Sequence, residues 1–144
     1  MHVLAAVVWV GGDATMTVLG IVFERRGDNE TLAALGRAGA WIGSRVYTPA
    51  VFVVLGFGIA MMLEADIDWN QFWILFGLAG WTTATTLGVA VIGPQVTRIN
   101  EAARIYGPES DEVVRRMRRL FLVFRFDAAL LLLIVLDMAV KPFA

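Results

Sequence analysis

The sequence predicts an all-α polytopic membrane protein: a four-helix transmembrane bundle with both termini outside (N-out/C-out). Three observations predict it. The chain of 144 residues is 58% hydrophobic and 17% charged, where a soluble domain carries about 25% charged residues. The charges gather in the connections, leaving four apolar stretches that each approach the roughly 20 residues a bilayer crossing needs. The basic residues are also distributed unevenly. The first connection holds Arg25, Arg26, Arg37 and Arg45, and the third holds Arg98, Arg104, Arg115, Arg116, Arg118 and Arg119. The second holds none. Basic residues near span ends mark the cytoplasmic side, so loops one and three are expected inside.

The expected spans are residues 2–23, 45–63, 69–92 and 120–140, within a single transmembrane domain over 1–144. The first segment lacks a basic leading region and a small-residue cleavage pattern, so it is read as a retained span. Asp28 or Asn29 can cap a new helix with Glu30 in its first turn. Residues 30–44 are only moderately apolar and predict an interfacial helix before span two, which Pro49 would bend. The acidic link from Glu64 to Asp68 makes spans two and three a hairpin. Pro94 predicts a kink after span three, with the helix continuing to Arg104. Gly107-Pro108 breaks the chain, and Ser110 with Asp111 and Glu112 suits a helix start. The last helix begins in water and enters the membrane near Leu120.

No cysteine is present. Disulfides, thioether-attached haem, iron–sulfur clusters and thiolate metal sites are therefore excluded. The polar residues within the spans are the candidates for chemistry. At about 100° per residue, His2, Trp9, Asp13, Met16 and Gly20 share one stripe of the first span. Such a stripe faces protein rather than lipid. A carboxylate at mid-span costs about 2.5–3.5 kcal/mol on insertion scales, so Asp13 is expected to be protonated, paired or wet, with Arg125 in span four as the natural partner and Arg45 and Arg98 as alternatives. Asp13 and Arg125 together form either a buried ion pair that fixes helix register or part of a proton path. Asp127 points about 200° away from Arg125 on the same helix.

His2 is the only histidine, and imidazole is a common ligand for haem and transition metals. Two axial histidines cannot come from one chain. Met61, Met62 and Met138 are expected at the same end of the bundle, and with His2 they make a set suited to Cu(I) or a haem iron. Trp41, Trp69 and Trp73 fit interface belts. The frequent glycines fit close helix approach. The run from Arg115 to Arg119 anchors topology and attracts anionic headgroups; nucleic-acid binding is not expected.

His2, then Trp9 and Gly11-Gly12, resembles the opening helix of two bacterial membrane families. These are the CopD-type copper-resistance proteins and the HemJ-type protoporphyrinogen oxidases. Arg45 to Pro49 followed by Gly56 and Gly58, Gly93-Pro94 with Arg98, and Met138 through Lys141-Pro142 are similar too. A related, functionally unassigned family of four-helix integral membrane proteins is the nearest expectation. The HemJ resemblance implies haem b on His2, although the only lysine, Lys141, lies at the chain end. The CopD resemblance implies copper handling. Both imply the bacterial cytoplasmic (inner) membrane.

Three readings stay open. One is a haem b protein with His2 as axial ligand and Trp9 and Asp13 lining the pocket. Another is a copper-handling protein using His2 with Met61, Met62 or Met138. The last is a cofactor-free accessory subunit, held in the lipid bilayer as a homo-oligomer or within a larger membrane complex.

Overall fold

The computed structural model describes residues 1–141, and among these every regular element is helical. Helix α1 (His2–Arg26) ends where Gly27 turns left-handed at φ 70°, a conformation glycine adopts without cost. Asp28 then caps α2 (Asn29–Ile42), accepting from the Thr31 backbone N–H at 2.9 Å and its hydroxyl at 2.6 Å. Those two donors hold the Asp28 carboxyl below its ordinary range.

Helix α2 covers the segment that the sequence suggests leads into span two. It runs through a π-helical turn, Gly43–Tyr47, directly into α3 (Thr48–Glu64). The second rod repeats the device: α4 (Phe72–Thr86), a π turn at Leu87–Ile92, then α5 (Gly93–Tyr106). Both wide turns precede a proline, Pro49 and Pro94, which has no N–H to give the carbonyl four residues back. The ladder shifts by one: Thr48 N–H donates to the Gly43 carbonyl, and Gly93 N–H to that of Gly88. The prolines thus widen each rod without breaking it. The rods are 36 and 35 residues long, about 50 Å at 1.5 Å per residue, well beyond a hydrocarbon core of about 30 Å.

Helix α6 (Asp111–Val140, 30 residues) runs antiparallel to α1 along the centre. By length and composition three helices can cross a membrane: α1, the α2–α3 rod and the α4–α5 rod. In α6 the apolar stretch is interrupted by Arg125, Asp127 and Asp137.

Two cores result. Near the end bearing Arg25 and Asp111, called here the arginine end, Leu32, Ile99, Val113, Met117, Leu120 and Phe121 pack together. Toward the His2 end, Trp9, Ala50, Val51, Ala84 and Leu131 form the second. Trp81 bridges α4 to α3 by donating its indole N–H to the Val51 carbonyl at 3.1 Å. Close approaches fall where glycine leaves room: Phe121 sits on Gly20, Met138 on Gly77 and Ile134 on Gly80. Trp73, expected at an interface, is buried, with the Lys141 ammonium 5.0 Å from its ring. Trp41 and Trp69 are exposed. Pro142 lies outside the described residues.

Candidate functional site

The buried face of α1 is Trp9, Asp13, Thr17 and Gly20, at the i, i+4, i+8, i+11 spacing of one helical stripe. It meets the buried face of α6, which includes Phe121, Asp127, Ala128 and Leu131. Because the helices are antiparallel, residues meet in reverse order. Gly20 receives Phe121, Thr17 aims its hydroxyl at the Phe124 carbonyl (3.5 Å, a long contact), and Asp13 lies within electrostatic reach of Asp127.

Asp13 is 3% exposed and Asp127 6%, so water does not solvate either carboxyl from bulk. Asp13 Oδ2 and Asp127 Oδ1 are buried without a hydrogen-bond partner. The third member is Tyr47, from the π turn of the first rod. Its hydroxyl lies so close to Gly12 that a Cβ there would overlap it, and it interacts electrostatically with Asp13. Two acids and a phenol therefore converge where α1, α6 and the first wide turn meet.

The expected Asp13–Arg125 pair is not formed. Arg125 instead pairs with Glu24, joining α6 to the last turns of α1. Helix geometry explains the correction. Side chains lean toward the N-terminus of their own helix, and α6 has its N-terminus at the arginine end. Arg125 therefore extends toward water and Glu24, as long cationic side chains do near span ends, and away from Asp13.

His2 is half-buried and its Nδ1–H donates to the Val54 carbonyl of α3 at 2.7 Å. A carbonyl only accepts, so Nδ1 is the donor nitrogen in this bond and Nε2 takes no part in it. The ring rests against Gly58. Of the methionines expected beside it, two lie on α3 about one turn beyond Gly58 and the third on α6. Met61 is exposed on α3, Met62 is half-exposed, and Met138 fills the notch at Gly77 between α6 and α4. Among the described residues no three of His, Cys, Asp and Glu gather as a metal site. Trp9 belongs to the packed core with Ala50 and Val51 of α3 and Leu131 of α6, and Asp13 lies within electrostatic reach of Asp127, while His2 bonds to α3.

Sequence reasoning found Asp13 and missed its surroundings. Asp127 carries a legible signal: it shares the 3–4 spacing of Leu120, Phe124 and Leu131 on the α6 seam. Tyr47 carries none, since its place follows from the wide turn.

Residues 1–142 match the family model described as "Predicted integral membrane protein (DUF2269)". The chain belongs to this DUF2269 family. Neither a curated protein nor a solved structure matches it. Membership in DUF2269 makes the chain an integral membrane protein in contact with lipid, while the likeness to CopD-type and HemJ-type proteins rests on the short motifs alone.

Proposed function

We propose that this chain is a small four-span, proton-binding protein in which Asp13 and Asp127 share a proton across the α1–α6 interface. The observation that carries the proposal is two buried carboxyls within electrostatic reach of each other across the α1–α6 interface, with Arg125 committed to Glu24. Two adjacent carboxylates do not both ionise in a low-dielectric site. A lone ionised one within a span already costs several kcal/mol. A pair holding one proton avoids most of that cost and can pass the proton on. Tyr47 supplies a hydroxyl beside Asp13. Thr17 and then Glu24 continue along the same α1 face toward the arginine end, about 16 Å away by helical rise.

The fourth span is α6 from Leu120 to Val140. Its charges turn inward, with Arg125 on Glu24 and Asp127 and Asp137 buried, while Leu122, Phe126, Leu132 and Leu136 face outward as lipid-facing residues do. The arginine end is then cytoplasmic and both termini lie outside, in a bacterial inner membrane. The chain has no cysteine of its own. Single cysteines at Asp68 and Ser110 therefore report topology cleanly: Asp68→Cys reacts from outside and Ser110→Cys from inside.

Infrared difference spectroscopy of the reconstituted protein tests the shared proton. A protonated-carboxyl band at neutral pH that disappears in both Asp13→Asn and Asp127→Asn is expected. A band untouched by either substitution, or no band at all, overturns the proposal.

A second reading keeps haem b on His2. One observation favours it: the Val54 carbonyl fixes the ring orientation through Nδ1, as carbonyls behind metal-bound histidines do. Haem would supply one-electron redox chemistry at that end of the bundle. Trp9 and Asp13 lie on the same stripe of α1 as His2, with Trp9 packed into the core of Ala50, Val51 and Leu131. An oxidised-minus-reduced spectrum of protein expressed with haem precursor decides this reading. A Soret band lost in His2→Ala supports it, and a flat spectrum removes it. Copper bound one-to-one on the same sample would favour copper handling instead, and neither cofactor would favour an accessory subunit.

A further inference from the structure

The face of α6 opposite the buried seam changes character along its length. Asp111, Arg115, Arg118, Leu122, Phe126, Ala129 and Leu133 are all exposed and recur at three- and four-residue spacing, so they form one continuous track. Its first turns are charged and the rest is apolar. At the changeover the helix borders an open cavity of about 450 Å³, which also takes in Glu24 of α1, Asn29 of α2 and Arg119. Here the apolar stretch of α1 gives way to Glu24-Arg25-Arg26, so the cavity lies at the level where α1, a candidate span, leaves the membrane.

The charges around this cavity do not cancel. Glu112 is shared by Arg115 and Arg116, and the hydrogen bond from Arg116 leads in holding its carboxyl below the ordinary range. Glu24 is taken by Arg125. Asp111 lies at the cavity edge, while Arg118 and Arg119 are exposed and form no ion pair among the described residues. Three arginines, Arg115, Arg118 and Arg119, and two carboxylates, Glu24 and Asp111, line this polar recess, leaving a positive surplus with an apolar track above it.

We propose that this recess holds the phosphate headgroup of one anionic phospholipid, with Arg118 and Arg119 on the phosphate and an acyl chain lying along Leu122, Phe126 and Leu133. Guanidinium groups suit phosphate oxygens through paired N–H donors. The volume accommodates a headgroup and not a whole lipid, which leaves the chains on the track outside. The proposal depends on α1 crossing the membrane and not on the shared proton, so either can fail alone.

The test uses the full chain in nanodiscs of equal phosphatidylglycerol and phosphatidylcholine. It is then extracted into detergent, and native mass spectrometry counts the retained lipid. One retained phosphatidylglycerol is expected on the wild type. Retention should weaken about fivefold for each arginine removed, the effect of one basic residue at an anionic surface. Arg118→Ala with Arg119→Ala should therefore lose it, while Arg118→Lys with Arg119→Lys keeps most. Arg37→Ala with Arg104→Ala, outside the recess, should change nothing. Equal loss in that control, equal retention of phosphatidylcholine, or no loss in the alanine variant each overturns the proposal. So does a site that inorganic phosphate fills with the same arginine dependence and without lipid.

Discussion

The two ends of the bundle are held together by different physics. At the arginine end, large side chains such as Leu32, Ile99, Met117 and Phe121 fill the core, and the outer faces carry Arg37, Arg98 and Arg104. Charged surface lies outside and apolar surface inside, the arrangement in which the hydrophobic effect drives packing. Toward His2 the outer faces are as apolar as the inner ones: Val7, Phe52 and Leu132 are exposed while Ala50, Ala84 and Gly80 are buried. In lipid, burying such groups gains nothing over leaving them in the acyl chains. Close contact at small residues and a few interhelical hydrogen bonds hold this end together. The buried acids sit in this second regime, where a polar group meets little competition from packing.

The sharpest way to break the comparison is to cut into each core equally. Leu32→Ala should cost about 2–5 kcal/mol and Phe121→Ala about 3–5 kcal/mol. Leu131→Ala should cost clearly less than Leu32→Ala, although both leucines are 1% exposed. Denaturant titration in detergent micelles measures all three, and equal costs for the two leucines would dissolve the distinction. Next in size is Gly20→Val, which forces a branched side chain into the Phe121 ring. Overpacking of that kind costs about 1–3 kcal/mol, read as a lowered melting temperature with helix content unchanged.

His2→Phe removes the bond to the Val54 carbonyl. An interhelical hydrogen bond in a membrane is worth about 0.6 kcal/mol on average, so faster amide exchange in the first turns of α1 is expected with little change in overall melting. The smallest effect belongs to Asp28. Its folded carboxyl titrates below the ordinary value of 3.8. The cap thus contributes fully above that value and is lost as the pH falls through the lower folded one. Amide exchange at Thr31 should accelerate only in that acid range, and Asp28→Asn should flatten the dependence.

Much of this was legible in the residues. The helical class, the inward stripe of α1 and the Asp28 cap follow from spacing and local hydrogen bonding, which a sequence carries directly. The partner of Asp13 was not legible, because it depends on how α6 is docked against α1. Proximity of opposite charges favours Arg125, whereas the lean of helical side chains sends that arginine to Glu24. The continuity of α2 with α3 is a different case. Pro49 reads as a bend, and nothing local indicates that a five-residue hydrogen-bond step can absorb the missing donor.

Those two wide turns have a geometric consequence. Each inserts a phase slip into its rod, because one extra residue per turn rotates everything beyond it by about 100° relative to an unbroken helix. A stripe that points at one neighbour before the slip points a quarter-turn away after it. A single rod can therefore serve different partners at its two levels: α2 packs on α1, α5 and α6, while α3 packs chiefly on α1. The repeated spelling Gly-x-x-Val-x-x-Pro, at Gly43–Pro49 and again at Gly88–Pro94, writes this change of address twice. Any reading of facing residues in related chains has to restart its helical count at each of those prolines.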